Sequence, residues 1–216
     1  MLSVPATSIV YIIDDQDSIR ESLSELAGAA GWCPVTFSSA AEFLSYPRPA
    51  VPSCLILDMA LPDLDGLELQ RRITTKRSHI PIIFLAGDAD ISTAVRAMKG
   101  GAVDFLMKPF DVQVMQREIG EALRRSESAL RRENELSVLR ADYGLLTHRE
   151  REVMQLVVSG MLNKQVGGEL GISEITVKAH RGNVMRKMKA ESFAALVTMS
   201  ARLRVSRPLI TNIPVN

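Results

Sequence analysis

The sequence predicts an α/β fold, a doubly wound five-stranded parallel sheet, followed by a small all-α domain on a long helical linker. Three observations carry this. Short apolar runs near 8–13, 33–37, 53–58, 81–86 and 104–107 alternate with helical patterns near 18–30, 39–46, 64–74 and 90–100, and a fifth helix begins at Asp111. Runs of that length read as strands buried on both faces, and regular alternation with helices implies a parallel sheet. Beyond about residue 144 only helical periodicity remains, punctuated by capping residues and glycines.

The first helical segment opens on Ser18-Ile19-Arg20-Glu21, which reads as a capping box, and Ile19, Leu23, Leu26, Ala27 and Ala30 form its apolar stripe. From Asp111 to about Leu139 there is no proline and Gly120 is the only glycine. Met115, Ile119, Leu123 and Leu130 continue one seam, so residues 126–144 are expected as a helical linker that Ala141-Asp142-Tyr143-Gly144 breaks. In the second domain, Thr147-His148-Arg149-Glu150 is a further capping box, with Val153, Leu156 and Val157 facing the core. Gly160 stops that helix, Asn163 caps the next, and Ser173 caps one running to Met188. A last helix spans Ser192 to Leu203, and the tail 208–216, with two prolines and little periodicity, is expected to be weakly ordered. The domains expected are 1–125, the linker 126–144, and 145–207.

A chain of 216 residues with 46% hydrophobic and 24% charged content has the balance of a soluble globular protein. No apolar stretch approaches the ~20 residues that span a bilayer, and no secretory signal is evident, which points to the cytoplasm and no membrane partner. Cys33 and Cys54 both sit in apolar runs and are expected as buried, reduced thiols. The net charge of +1 hides an asymmetry: residues 1–125 hold 12 basic and 16 acidic residues, and the remainder 14 and 9. An acidic half suits cation or phosphoryl chemistry and a basic half suits nucleic acid.

The ends of the strands carry the chemistry. Ile9–Ile13 delivers Asp14 and Asp15, Cys54–Leu57 delivers Asp58, and Asp104–Met107 delivers Lys108 followed by Pro109. Open α/β sheets place their sites at the carboxyl ends of strands, so three carboxylates and one lysine converge there. Carboxylates within ~4 Å repel by about 4 kcal/mol at an effective dielectric of ~20, so such a cluster persists if protons, a lysine or a divalent cation compensate it. Oxygen ligands beside a phosphoryl group favour Mg²⁺. A carboxylate can itself attack a phosphoryl donor, with a lysine pairing to the transferred group. Pro109 is placed for a constrained turn, with a cis bond as one form of it.

Residues 8–125 resemble the receiver domain of two-component response regulators, a flavodoxin-like fold. The matching pieces are Ile12-Ile13-Asp14-Asp15, Leu57-Asp58-Met59 with Pro62 and Gly66, Lys108-Pro109-Phe110, and the stretch Ala97 to Phe105. The resemblance implies Asp58 as phosphoacceptor, and Asp14, Asp15, Asp58 and the Ala60 backbone carbonyl around Mg²⁺. It also implies Lys108 on the phosphoryl oxygen and Phe105 as the switch aromatic. One departure stands out: the fourth strand ends in Ala86-Gly87, where the family usually has Thr or Ser. The missing hydroxyl removes a charge-assisted hydrogen bond of roughly 1.5–3 kcal/mol that couples chemistry to shape.

In the second domain, Asn163 to Ser173 reads as helix, glycine turn, helix. On the following helix Val177, Val184 and Met188 share the core face, leaving Lys178, Ala179, Gly182, Asn183 and Arg186 outside. Small and basic residues together suit a DNA major groove, with Lys164, Arg181, Lys187 and Lys189 adding flanking charge. A protein-interaction domain with a solvated basic face is the alternative from the residues alone. Residues 145–203 resemble the LuxR/FixJ-type output domain in Leu146-Thr147, Arg149-Glu150, Glu152-Val153, Asn163-Lys164, Ser173 and Thr176-Val177-Lys178 with His180. The candidate DNA contacts are then Asn163, Lys164, Thr176, Lys178, Ala179, Arg181, Gly182, Arg186 and Lys187, with base edges expected at Lys178, Ala179 and Gly182.

The two resemblances together imply a DNA-binding transcriptional response regulator, phosphorylated on Asp58 by a sensor histidine kinase. It would pair as a homodimer on activation and bind double-stranded promoter DNA, with RNA polymerase a further candidate partner. The rival within the fold is a transcription factor under weak or no phosphorylation control because of Ala86. The rival enzyme is a phosphoaspartate phosphatase; Ala60 stands where haloacid-dehalogenase-type enzymes carry their second Asp.

Overall fold

Val10–Ile13 of β1 (Ile9–Ile13) and all of β3 (Ser53–Asp58) are fully or nearly fully covered on both sides, the reason Val10–Ile13 and Cys54–Leu57 run apolar rather than alternating. The computed structural model describes residues 8–47, 49–76, 80–88 and 91–203. The chain divides into two compact units between Arg131 and Arg132.

The first unit is a five-stranded parallel sheet in the order β2-β1-β3-β4-β5, completed by β2 (Cys33–Phe37), β4 (Ile82–Ala86) and β5 (Asp104–Met107). Successive residues point to opposite faces. Tyr11, Ile13, Leu55, Leu57 and Phe84 pack on one side with Phe43 of α2 (Ala40–Ser45), Leu69 and Ile73 of α3 (Gly66–Lys76) and Ala97 of α4 (Ile91–Lys99). Val10, Ile12, Cys54, Ile56, Ile83 and Leu85 pack on the other. They meet Leu23 and Ala27 of α1 (Asp17–Ala29) and Met115, Ile119 and Leu123 of α5 (Val112–Gly144). The chain order reverses between β1 and β3, the switch point at which such sheets open a crevice.

Several local expectations change. Helix α1 starts one residue early, at Asp17 with Gln16 as cap, so Ser18 lies inside the first turn and forms no capping box. The Gln16 N–H is instead taken by Asp14 Oδ1 at 2.9 Å, tying the helix start to the strand end. Residues Ala141 to Gly144 do not break α5; they are its last turn, where Asp142 is buried against Lys189 at 2.7 Å. Ser126, in the stretch expected as linker, is buried in the first unit, and its hydroxyl accepts the Ser53 N–H at 3.0 Å. Cys54 is buried, but Cys33 is exposed because it opens edge strand β2; both thiols are free.

The second unit comprises the end of α5, α6 (His148–Val158), α7 (Asn163–Leu170), α8 (Glu174–Lys187) and α9 (Phe193–Leu203). The Thr147 capping box forms in both directions: Thr147 Oγ1 accepts the Glu150 N–H, and the Glu150 carboxylate accepts the Thr147 N–H at 2.8 Å. Ser173 caps α8 by accepting the Thr176 N–H at 3.1 Å. Asn163 is the first residue of α7 rather than its cap: Leu162 occupies the cap position, and its N–H donates to Gln165 Oε1 at 2.8 Å. Val153, Leu156, Val157, Val166 and Val177 form one cluster; Leu139, Leu146, Met154, Val184, Met188 and Leu196 form another. Residues 204–207 and the tail 208–216 lie outside the described residues. Among the described residues no helix is long and apolar enough to cross a membrane.

Candidate functional site

The strand ends converge as their register requires. Asp58 pairs with Leu85 across β3 and β4, and Ala86 with Met107 across β4 and β5. The Lys108 N–H then donates to the Ala86 carbonyl at 2.7 Å, which carries the lysine over the sheet edge. The Lys108–Pro109 bond is cis. Lys108 Nζ lies 2.7 Å from Asp14 Oδ2 and 2.9 Å from Asp58 Oδ1. Asp58 Oδ2 accepts the Ala60 N–H at 3.2 Å. Asp14 and Asp58 are buried, whereas Asp15 and Ala60 are exposed at the mouth of the crevice.

Burial pushes the Asp14 carboxyl upward; its bonds to Lys108 and the Gln16 amide oppose this, and the net effect is a raised pKa. Burial pushes Lys108 down, but hydrogen bonds to Asp14 and Asp58 outweigh it and hold the ammonium above its ordinary range. Positive charge is therefore favoured at this edge, the electrostatic condition for a cation site. Carboxylate oxygens of Asp14, Asp15 and Asp58 all lie within 4.8 Å of one another. Opposite ligands of an octahedral ion with ~2.1 Å bonds stand ~4.2 Å apart, so small shifts let these hard oxygen donors fit Mg²⁺.

Ala86 is buried beside this group and offers no hydroxyl. Phe105 is half-buried, its ring 6.2 Å from that of Phe84. Ile91, Val95 and Met98 of α4, 84%, 43% and 45% exposed, lie at four- and three-residue spacing with exposed Met107 and Val112 nearby in sequence on β5 and α5. The sequence places Met98 and Met107 in a family-like stretch and a strand, but does not mark these side chains as exposed. The signal was there in the 91, 95, 98 spacing, but Ala97 on the same helix is buried and blurs the stripe.

In the second unit α7 ends at Gly171, whose φ of 65° is left-handed. Gly167 faces the Ile172 carbonyl so closely that a Cβ there would stand 2.7 Å from it, so glycine sets how near the turn comes to α7. Lys164, Lys178, Ala179, Gly182 and Arg186 are exposed. Lys178 Nζ lies 3.3 Å from Glu174, and the Thr176 hydroxyl is bonded to that of Ser173 at 2.8 Å. Asn163 Oδ1 accepts from Arg181 at 3.0 Å, and the Arg181 guanidinium stacks 4.7 Å from the Phe193 ring centre. Lys187 pairs with buried Glu150 at 2.6 Å and donates to the Leu145 carbonyl. Burial works against the Glu150 charge, but the bonds to Lys187 and Thr147 prevail and lower its pKa. Asn163, Arg181 and Lys187 are thus engaged in holding this unit together.

The chain thus carries a buried carboxylate pair clamped by one lysine at the carboxyl edge of a parallel sheet, and a helix-turn-helix in its second unit. The family model for the response regulator receiver domain matches residues 10–120, and that for bacterial regulatory proteins of the luxR family matches residues 144–200. Nodulation protein W of Bradyrhizobium diazoefficiens is 45% identical over 199 residues, covering 92% of this chain and 88% of that protein. The transcriptional regulatory protein FixJ of Azorhizobium caulinodans is 39% identical over 197 residues, covering 91% and 93%. A solved structure of the response regulator StyR is 41% identical with a TM-score of 0.80, covering 91% of this chain and 100% of that one. The chain belongs to the two-component response regulators and joins a receiver to a LuxR-type DNA-binding domain.

Proposed function

We propose that a sensor histidine kinase phosphorylates Asp58, and that the modification drives receiver pairing and binding to promoter DNA in the cytoplasm. The observation that carries this is Lys108 Nζ, within 2.9 Å of both Asp14 and Asp58 at the sheet edge. An Asp58 oxygen attacks the phosphorus of a phosphohistidine. A new O–P bond forms as the P–N bond breaks, and the electron pair leaves on the imidazole nitrogen. The Ala60 N–H orients the carboxylate, and the Lys108 ammonium is placed to hold an oxygen of the transferred group as a point charge. Asp14, Asp15 and Asp58, with the backbone carbonyl of Ala60, would hold Mg²⁺. When bound, the ion neutralises charge between the carboxylates and the phosphoryl oxygens.

Ile91, Val95, Met98, Met107 and Val112 are the candidate contacts with a second receiver, because exposed large apolar side chains are what a partner covers. Two paired chains present two recognition helices to half-sites about one helical turn apart. Lys164, Lys178, Ala179, Gly182 and Arg186 are the exposed candidates for the DNA contact, and RNA polymerase is the partner that a promoter-bound regulator would meet.

The test is phosphoryl uptake from a small-molecule donor, with and without Mg²⁺, read by intact mass and followed by sedimentation. Wild type should gain one phosphoryl group and pair, whereas Asp58→Asn should do neither. Equal uptake by both proteins would overturn the assignment.

A further inference from the structure

We propose that Ile175 is a specificity-determining residue of the recognition helix, reading the 5-methyl group of thymine in the major groove. The proposal rests on DNA binding by α8 and goes beyond it. Ile175 is 79% exposed on the first turn of α8, where helix-turn-helix proteins meet base edges. At ~100° per residue, Val177, Val184 and Met188 lie roughly opposite Ile175, while Ala179, Gly182 and Arg186 lie within ~40° of it. All three opposite residues are in the core, and all three neighbours are exposed. The isoleucine therefore stands at the centre of the outward face, and the residues behind it, Ala179 and Gly182, add almost no bulk. A helix so shaped approaches the groove closely and leads with an apolar side chain.

The polar groups of the same turn are already occupied. The Ser173 hydroxyl takes the Thr176 N–H and is bonded to the Thr176 hydroxyl, and Lys178 is paired with Glu174. Beside these paired groups, what Ile175 adds to the tip of the helix is hydrocarbon. In the major groove the thymine methyl group is the matching feature.

The experiment uses the full-length chain activated with beryllium fluoride. A preferred site is selected from a random duplex library. Each thymine of that site is then replaced singly by deoxyuridine, which removes only the methyl group, and wild type and Ile175→Ala are titrated against the series. At one or two positions deoxyuridine should weaken wild type about fourfold, the worth of one buried methyl group, and should leave Ile175→Ala unaffected. Wild type that ignores every substitution, or a variant that loses as much as wild type, overturns the proposal. A preferred site without thymine in the recognition positions does the same. If Ile175→Ala binds the site unchanged but lowers transcription by purified RNA polymerase, the side chain meets protein and the proposal fails. If no sequence is enriched at all, the DNA-binding reading falls and takes this inference with it.

Discussion

Lys108 Nζ sits 2.9 Å from Asp58 Oδ1 while keeping 2.7 Å to Asp14, so one ammonium holds two buried carboxylates at the sheet edge. Neither carboxylate can be read without it. Two buried acids at this distance repel, and desolvation adds to the cost unless a cation compensates.

Replacing Lys108 should therefore affect stability as well as phosphoryl uptake. Lys108→Met is expected to destabilise the receiver by about 1–3 kcal/mol, because Asp14 is left buried without its strongest partner. The folded-state pKa of Lys108 is raised above its ordinary 10.5, so the stability it contributes is fully present below that pH and lost only as pH climbs through the higher folded value. Urea unfolding from pH 7 to 11.5 checks this: the gap between wild type and variant should stay constant to about pH 10 and then close.

The exposed patch on α4 predicts the pairing surface. Ile91→Asp should leave the monomer folded, since the side chain is 84% exposed, yet weaken activated pairing by about tenfold or more, as expected for one isoleucine that is no longer buried. Sedimentation with beryllium fluoride reads the change, and pairing that matches wild type would move the interface elsewhere.

Ala86 predicts a smaller conformational response than a hydroxyl at this position would give. Asp58, Lys108 and the acidic cluster do not need its side chain, whereas the conformational response lacks a hydroxyl donor at this buried position. Ala86→Thr is expected to widen the difference in pairing and DNA affinity between the free and beryllium fluoride-bound states by about 1.5–3 kcal/mol. If the parent already pairs fully and the variant adds nothing, the backbone amides of Gly87 and Asp88 are the better candidates for sensing the phosphoryl group.

In the DNA-binding unit, Glu150 predicts an acid-sensitive contact. Its folded-state pKa is lowered from an ordinary value near 4.5 by Lys187 and the Thr147 amide, against burial. The stability from this contact is therefore present above about pH 4.5 and lost as the pH falls through the lower folded value. Glu150→Gln should cost about 1–3 kcal/mol at pH 7 and progressively less below pH 4.5, as measured by denaturant titration of the full chain. A cost independent of pH would mean that packing alone holds the residue in place.

Local patterning in the chain was enough to place both units. The central strands β1, β3 and β4 were legible because they are covered on both faces and run apolar, the edge strands β2 and β5 because they fall in regular alternation with helices, and Asp14, Asp15, Asp58 and Lys108 because charge directly follows such runs. The Thr147 and Ser173 caps were legible because their partners lie three residues away. Tertiary structure decided what depends on distant residues. Whether Ser18 caps α1 turned on Asp14 already holding the Gln16 N–H, and whether Cys33 is covered turned on β2 lying at the edge of the sheet. Glu150 decided that Lys187 is engaged at 2.6 Å rather than free, and the packing of α4 decided that Ala97 is buried while Ile91 is open. Periodicity reports which residues share a face. Only the packed chain reports what, if anything, that face meets.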